Sequence, residues 1–172
     1  MTRRTLLEAT GAVGWTTGFS ANALSAQMNS PLIRPKALKP GDTVGLITPS
    51  TYVSDPVRLD LAEKTVQHFG LKLKVGKNVR KRDGYLGGSV QERTDDLHAM
   101  FSDPEVKGIF CIRGGYGASQ LLNQIDYGLI RKNPKVFAGY SDITALHLAI
   151  QRHAGVVTFH SPVVLSQFTT WT

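Results

Sequence analysis

The sequence predicts an α/β domain: a mainly parallel sheet with helices on both faces. From Pro35 onward, short apolar, β-branched runs alternate with segments of helical period, the pattern of successive βαβ units. Ile109-Phe110-Cys111-Ile112 has no polar alternation, as expected of a central strand covered on both faces. The chain has 172 residues, 41% hydrophobic and 19% charged. That is enough for one core of ordinary size and too apolar for a disordered chain.

Thr43 to Thr48 is the first strand, entered through the turn Lys39-Pro40-Gly41-Asp42. The following helix carries Leu59, Ala62, Val66 and Phe69 on one face and stops at Gly70. Leu71 to Val75 is the second strand. Gly84, Gly87 and Gly88 form a loop before a helix whose Val90, Thr94, Leu97 and Phe101 share a face, ended by Asp103-Pro104. Lys107 to Ile112 is the central strand, and Arg113-Gly114-Gly115-Tyr116-Gly117 turns into a short helix around Leu121 and Leu122. Lys135 to Ala138 is the next strand. Ser141 to His153 is the next helix, with Ile143, His147, Ile150 and Ala154 on its buried stripe, and Val156 to Phe159 is the last strand.

Twenty Lys and Arg against thirteen Asp and Glu give a formal net charge of +7. Outside Lys77 to Arg82 the basic residues are scattered and not interleaved with aromatics, which argues against nucleic acid as a partner. An anionic small substrate or the anionic cell envelope fits the charge. The one cysteine, Cys111, can neither close an internal disulfide nor build a thiolate-rich metal site. No metal or other cofactor is expected.

Residues 1–26 read as an export signal. Arg3 and Arg4 precede an apolar stretch rich in small residues, and Thr2-Arg3-Arg4-Thr5-Leu6-Leu7 matches the twin-arginine pattern. Cleavage fits after Ala23 or Ala26. The stretch is too short and weakly apolar to span a membrane, so a periplasmic location is expected without a membrane span. Residues 27–34 then form a linker and 35–172 the folded domain.

In an open parallel sheet the working residues gather beyond the carboxyl ends of the strands. Three segments lie there: Arg113 to Gly117, Gly139 to Asp142, and His160 to Pro162. The glycines of the first allow close backbone approach to an anion or a developing oxyanion, although the dinucleotide-binding spacing is absent. In Gly139-Tyr140-Ser141-Asp142-Ile143-Thr144 a serine occupies a tight strand-to-helix turn, the geometry of a nucleophile elbow, with Ile143 where the second glycine would be. Ser141 or Asp142 reads equally as a simple helix N-cap.

Tyr85-Leu86-Gly87-Gly88, Glu92-Arg93-x-x-Asp96-Leu97, Phe101-x-Asp103-Pro104-Glu105-Val106, Arg113-Gly114-Gly115-Tyr116-Gly117 and Gly139-Tyr140-Ser141-Asp142-Ile143-Thr144-Ala145-Leu146-His147 occur in this order. Together, over about residues 34–168, they resemble the N-terminal domain of the LD-carboxypeptidases, serine peptidases whose family includes the microcin C7 self-immunity proteins. The resemblance implies a Rossmann-like or flavodoxin-like domain and release of the terminal D-alanine from murein tetrapeptides in peptidoglycan recycling or remodelling. It implies Ser141 as nucleophile, and the N–H groups of Gly115 and Asp142 as the oxyanion hole. Arg113, Gly114, Tyr116 and His160 are then the expected substrate contacts. His160-Ser161-Pro162 stands where the family commonly has His-Gly-Pro, so Ser161 is a departure.

A serine nucleophile needs a base held by a third group, and the resemblance assigns these to a histidine and a glutamate of a C-terminal domain. That domain is expected beyond Thr172, and the 172-residue chain alone is expected to be inactive. An apolar end around Val163, Val164, Leu165 and Phe168 would then be partly uncovered, favouring self-association, a homodimer being the simplest form. His147 reads as core, and His160 as local support ahead of general base. Two other readings stay open: a non-catalytic envelope-ligand-binding module working through Gly114, Gly115 and Ser141, and an acyl-nucleotide hydrolase of the immunity-protein kind.

Overall fold

The computed structural model describes residues 31–164. The predicted export signal, the first part of the linker, Leu165 and Phe168 lie outside the described residues. Five parallel strands form one sheet in the order β2-β1-β3-β4-β5. They are β1 (Thr43–Ile47), β2 (Lys72–Val75), β3 (Val106–Cys111), β4 (Val136–Gly139) and β5 (Phe159–His160). The helices are α1 (Pro56–His68), α2 (Val90–Ser102), α3 (Tyr127–Lys132) and α4 (Thr144–Ala149). This is the doubly wound architecture expected.

Alternate side chains of the strands feed two cores. Ile47, Ile109, Cys111 and Phe137 pack with Leu97, Phe101, Ile130 and Leu146 under α2, α3 and α4. Val44, Leu46 and Ile112 pack with Leu59, Ala62 and Val66 of α1 on the other face. Each such fully buried side chain stabilises the fold by about 1.5–3 kcal/mol relative to exposure, so both faces of the central strands are required. Gly45 fits this crowding, since a Cβ there would meet the Met100 sulfur at 2.5 Å.

The helix starts follow local chemistry. Asp55 caps α1 by accepting from Val57 N at 2.9 Å. Ser89 and Glu92 close a reciprocal capping box on α2, at 3.2 and 2.9 Å. Asp126 caps α3 through Leu129 N at 2.9 Å. Helix α3 was not anticipated in the sequence reading; the Asp126 cap before a short apolar stretch was its signal.

Several expectations are corrected. Strand pairing near the end begins only at Phe159, because the Ile33 backbone occupies the preceding stretch: Ile33 N donates to Gly155 O at 2.7 Å and Val157 N to Ile33 O at 2.9 Å. Residues 118–121 form a 3₁₀ turn. The helix predicted from Ser141 starts as a 3₁₀ turn over Ser141–Ile143, is α-helical only over α4, and widens to a π-turn over Ile150–Ala154. Phe69 is half-exposed because it follows the end of α1. Val163 and Val164 are buried, Val164 against the α1 side of the sheet, so this part of the expected exposed end is covered.

Candidate functional site

With this strand order the chain leaves β1 and β3 in opposite directions, opening a crevice at their carboxyl ends. A cavity of about 230 Å³ occupies this edge. Val53, Ser54 and Arg58 line it from the β1 side, Arg113, Gly114 and Gly115 from the β3 loop, and Tyr140 and Ser141 from the β4 turn, with Val163 beside them. Two segments predicted to carry chemistry therefore meet in one recess. A Cβ on Gly114 would lie 3.1 Å from Ser141 Cβ and 3.3 Å from its Oγ, so the space beside the hydroxyl depends on glycine.

Ser141 has φ +63°, and it is the one non-glycine residue in the left-handed region among the described residues. Such a conformation costs about 1–3 kcal/mol and persists only where the surroundings impose it. The surroundings do so from both sides. Asp142 Oδ2 accepts from Ser50 Oγ at 2.7 Å and from Ala118 N at 2.8 Å, pinning the turn to the loops after β1 and β3. Gly139 O accepts from Ser161 N at 3.0 Å and lies 2.9 Å from His147 Nε2. Neither Ser141 nor Asp142 caps the following helix with its side chain, which removes the simple N-cap reading.

Gly115 has φ +118°, and a Cβ there would meet Thr51 Oγ1 at 2.1 Å. Thr51 Oγ1 in turn accepts from Tyr116 N at 3.0 Å. The N–H groups of Gly115 and Asp142 have no acceptor among the described residues, leaving two main-chain donors at the glycine turn and the helix start. Arg113 donates Nη1–H to Tyr52 O at 3.1 Å, and the Tyr52 ring lies under the Arg82 guanidinium at 4.3 Å.

Two expected substrate contacts lie outside the cavity lining. Tyr116 is 74% exposed, and its N–H is already taken by Thr51. His160 stands exposed on β5, its ring 6.2 Å from that of Tyr140. Ser161 needs no glycine, since its φ is not positive. The remaining histidines serve packing and caps. His147 is buried against Phe137, and burial pulls its pKa down despite the Gly139 contact. His98 Nε2 accepts from Asp126 N at 2.9 Å, and His153 packs on Tyr127. Among the described residues no histidine lines the cavity with Ser141.

The sequence reading missed Arg93. It is 2% exposed and has no carboxylate partner within ion-pair distance among the described residues. Its Nη1 donates to Pro49 O and Gly117 O, both at 2.8 Å, its Nη2 to Gln120 Oε1 at 2.7 Å, and its Nε to Gly88 O at 3.0 Å. Burial draws its pKa down, a shift that Asp142 opposes. One guanidinium thus ties α2 to both loops of the site. Its signal was an arginine between Val90 and Leu97 on the buried stripe of α2.

Among the described residues no cluster of three or more His, Cys, Asp or Glu side chains could hold a metal ion, and no helix is long and apolar enough to cross a membrane.

Residues 44–161 match the family model of the LD-carboxypeptidase N-terminal domain. A probable murein peptide carboxypeptidase of Bacillus subtilis is 50% identical over 131 residues, covering 76% of this chain and 41% of the relative. A murein tetrapeptide carboxypeptidase of Pseudomonas aeruginosa is 36% identical, covering 70% of this chain and 39% of its own length. The crystal structure of an MccF-like protein from Bacillus anthracis superposes with a TM-score of 0.76 at 39% identity, over 80% of this chain and 42% of that one. The chain spans about two fifths of the length of the relatives it matches.

Proposed function

This chain belongs to the LD-carboxypeptidase family, and on that premise we propose that it carries the nucleophile of a serine hydrolase that releases the terminal D-alanine of murein tetrapeptides. The observation that carries the reading is the positive φ of Ser141, which holds this exposed serine against Gly114 in the cavity that Gly115 also lines. A structural serine gains nothing from that strain.

In this mechanism Ser141 Oγ attacks the scissile carbonyl and loses its proton to a base. The oxyanion that forms is met by the N–H groups of Gly115 and Asp142. Collapse expels the amine of D-alanine, which takes up the proton, and water then frees the acylated serine. The base and the group that orients it come, in our reading, from the second domain that the family resemblance implies, because no histidine lines the cavity here. We further place the reaction in the periplasm, on the strength of Arg3 and Arg4 ahead of an apolar, small-residue stretch.

The test is product analysis on this chain joined to a family second domain. Murein tetrapeptide should yield D-alanine and tripeptide. Hydrolysis of an aminoacyl nucleotide with the tetrapeptide left intact would replace this reading with the immunity-type one.

A further inference from the structure

Among the described residues, the cavity beside Ser141 is lined by two arginines and by no acidic side chain. Arg58, in the first turns of α1, is exposed, and its guanidinium has no hydrogen-bond or ion-pair partner among the described residues. Arg113 donates one N–H to Tyr52 O, leaving the rest of its fork available. Of the neighbouring carboxylates, Asp142 is already bound to Ser50 and Ala118, and Asp55, outside the cavity lining, accepts from Val57 N as the cap of α1. The recess that adjoins the hydroxyl is therefore cationic, with donors of the planar kind that match a carboxylate or phosphoryl group.

We propose that Arg58 and Arg113 bind the negative charge on the leaving side of the scissile bond and so restrict cleavage to a chain end. This rests on the reading of Ser141 as nucleophile. In a terminal residue only the amide nitrogen and one carbon separate the scissile carbonyl from the free carboxylate. A cation that reads that carboxylate must share the pocket with the nucleophile, as these two do. An internal residue offers a neutral amide at the same place and leaves the guanidinium groups unmatched. An aminoacyl nucleotide would present its phosphoryl group there, so the shared chemistry is an anion adjoining the scissile bond.

The experiment is titration of the isotopically labelled chain with murein tetrapeptide, with the same peptide ending in a carboxamide, and with an aminoacyl nucleotide. Binding of the free acid is expected to be at least about tenfold tighter than that of the amide. Arg58→Ala and Arg113→Ala should each remove most of that preference, Arg58→Lys should keep part of it, and Arg80→Ala, an exposed cation outside the cavity, should leave it intact. The amide spectrum reports folding of each variant. A nucleotide that binds tightly and loses affinity in the same two variants supports the proposal with a phosphoryl source. Equal binding of acid and amide with nucleotide binding insensitive to Arg58, or no binding of any of the three, overturns it. In this chain joined to a family second domain, hydrolysis that survives Ser141→Ala would instead sink the underlying reading, whatever the acid-to-amide ratio.

Discussion

The Ser50 hydroxyl donates to Asp142 Oδ2 at 2.7 Å, joining the loop after β1 to the turn that carries Ser141. The same oxygen accepts from Ala118 N at 2.8 Å, so one carboxylate aligns the serine turn with both neighbouring loops. Its role is positional.

Asp142→Ala should therefore cost about 1–3 kcal/mol, because the fully buried Ser50 loses its acceptor. It should also lower hydrolysis about 100-fold through misplacement of Ser141. Asp142→Asn retains an acceptor oxygen and should be much milder in both respects. Chemical denaturation and D-alanine release check the pair; equal damage from both substitutions would mean that the charge, and not the hydrogen bonds, matters.

Gly115→Ala places a Cβ at 2.1 Å from Thr51 Oγ1 and is expected to cut kcat by about 10²–10³-fold, the loss typical of one oxyanion donor. Gly84 also has positive φ, but a Cβ there meets nothing within 4 Å. Gly84→Ala should cost roughly 1–2 kcal/mol of backbone strain and leave kcat alone. Similar kcat losses in the two variants would argue against a special place for Gly115.

How much of this was legible beforehand depended on the range of the interaction. Val44 and Leu46, Ile109 and Phe110, and the α2 face of Leu97 and Phe101 showed in the sequence because burial imposes a local period. Ser141, Gly114 and Gly115 showed because tight turns restrict residue type. Asp142 as a bridge and Arg93 as a clamp did not, since Asp142 reaches Ser50 across 92 residues and Arg93 reaches Pro49 and Gly117 across 44 and 24; nor did Arg58 as a wall of the recess, whose neighbours there come from the loops after β3 and β4. Tyr116 and His160, expected as substrate contacts from the family resemblance, stand outside the lining of this cavity, Tyr116 74% exposed. The start of β5 was misplaced because Ile33, far off in sequence, takes the backbone groups of residues 155 and 157.

Acid should weaken the fold through His147. Burial, the larger cause, and His160 hold the native imidazole pKa below its usual 6.5, while the Gly139 carbonyl opposes them. As pH falls below about 6.5 the unfolded chain binds a proton that the native state refuses, so stability declines with falling pH in that window. Thermal midpoints measured between pH 7 and 5 should show this slope, and His147→Gln, which can still donate to Gly139 O, should lose its His147 share. An identical slope in both proteins would contradict the assignment.

The proposed twin-arginine reading predicts that export depends on both Arg3 and Arg4. Replacing Arg3 and Arg4 by Lys is expected to leave the protein in the cytoplasmic fraction. Undiminished periplasmic protein, followed by fractionation and immunoblotting, would remove the twin-arginine reading.

The central claim is that Ser141 Oγ attacks the substrate, and D-alanine release from murein tetrapeptide tests it most directly when the serine alone is changed. In this chain joined to a Glu- and His-bearing second domain, Ser141→Ala should lower turnover by at least about 10³-fold, leaving only what binding and the oxyanion donors supply. The chain by itself should release no measurable D-alanine. Turnover that is unchanged in Ser141→Ala would contradict the account.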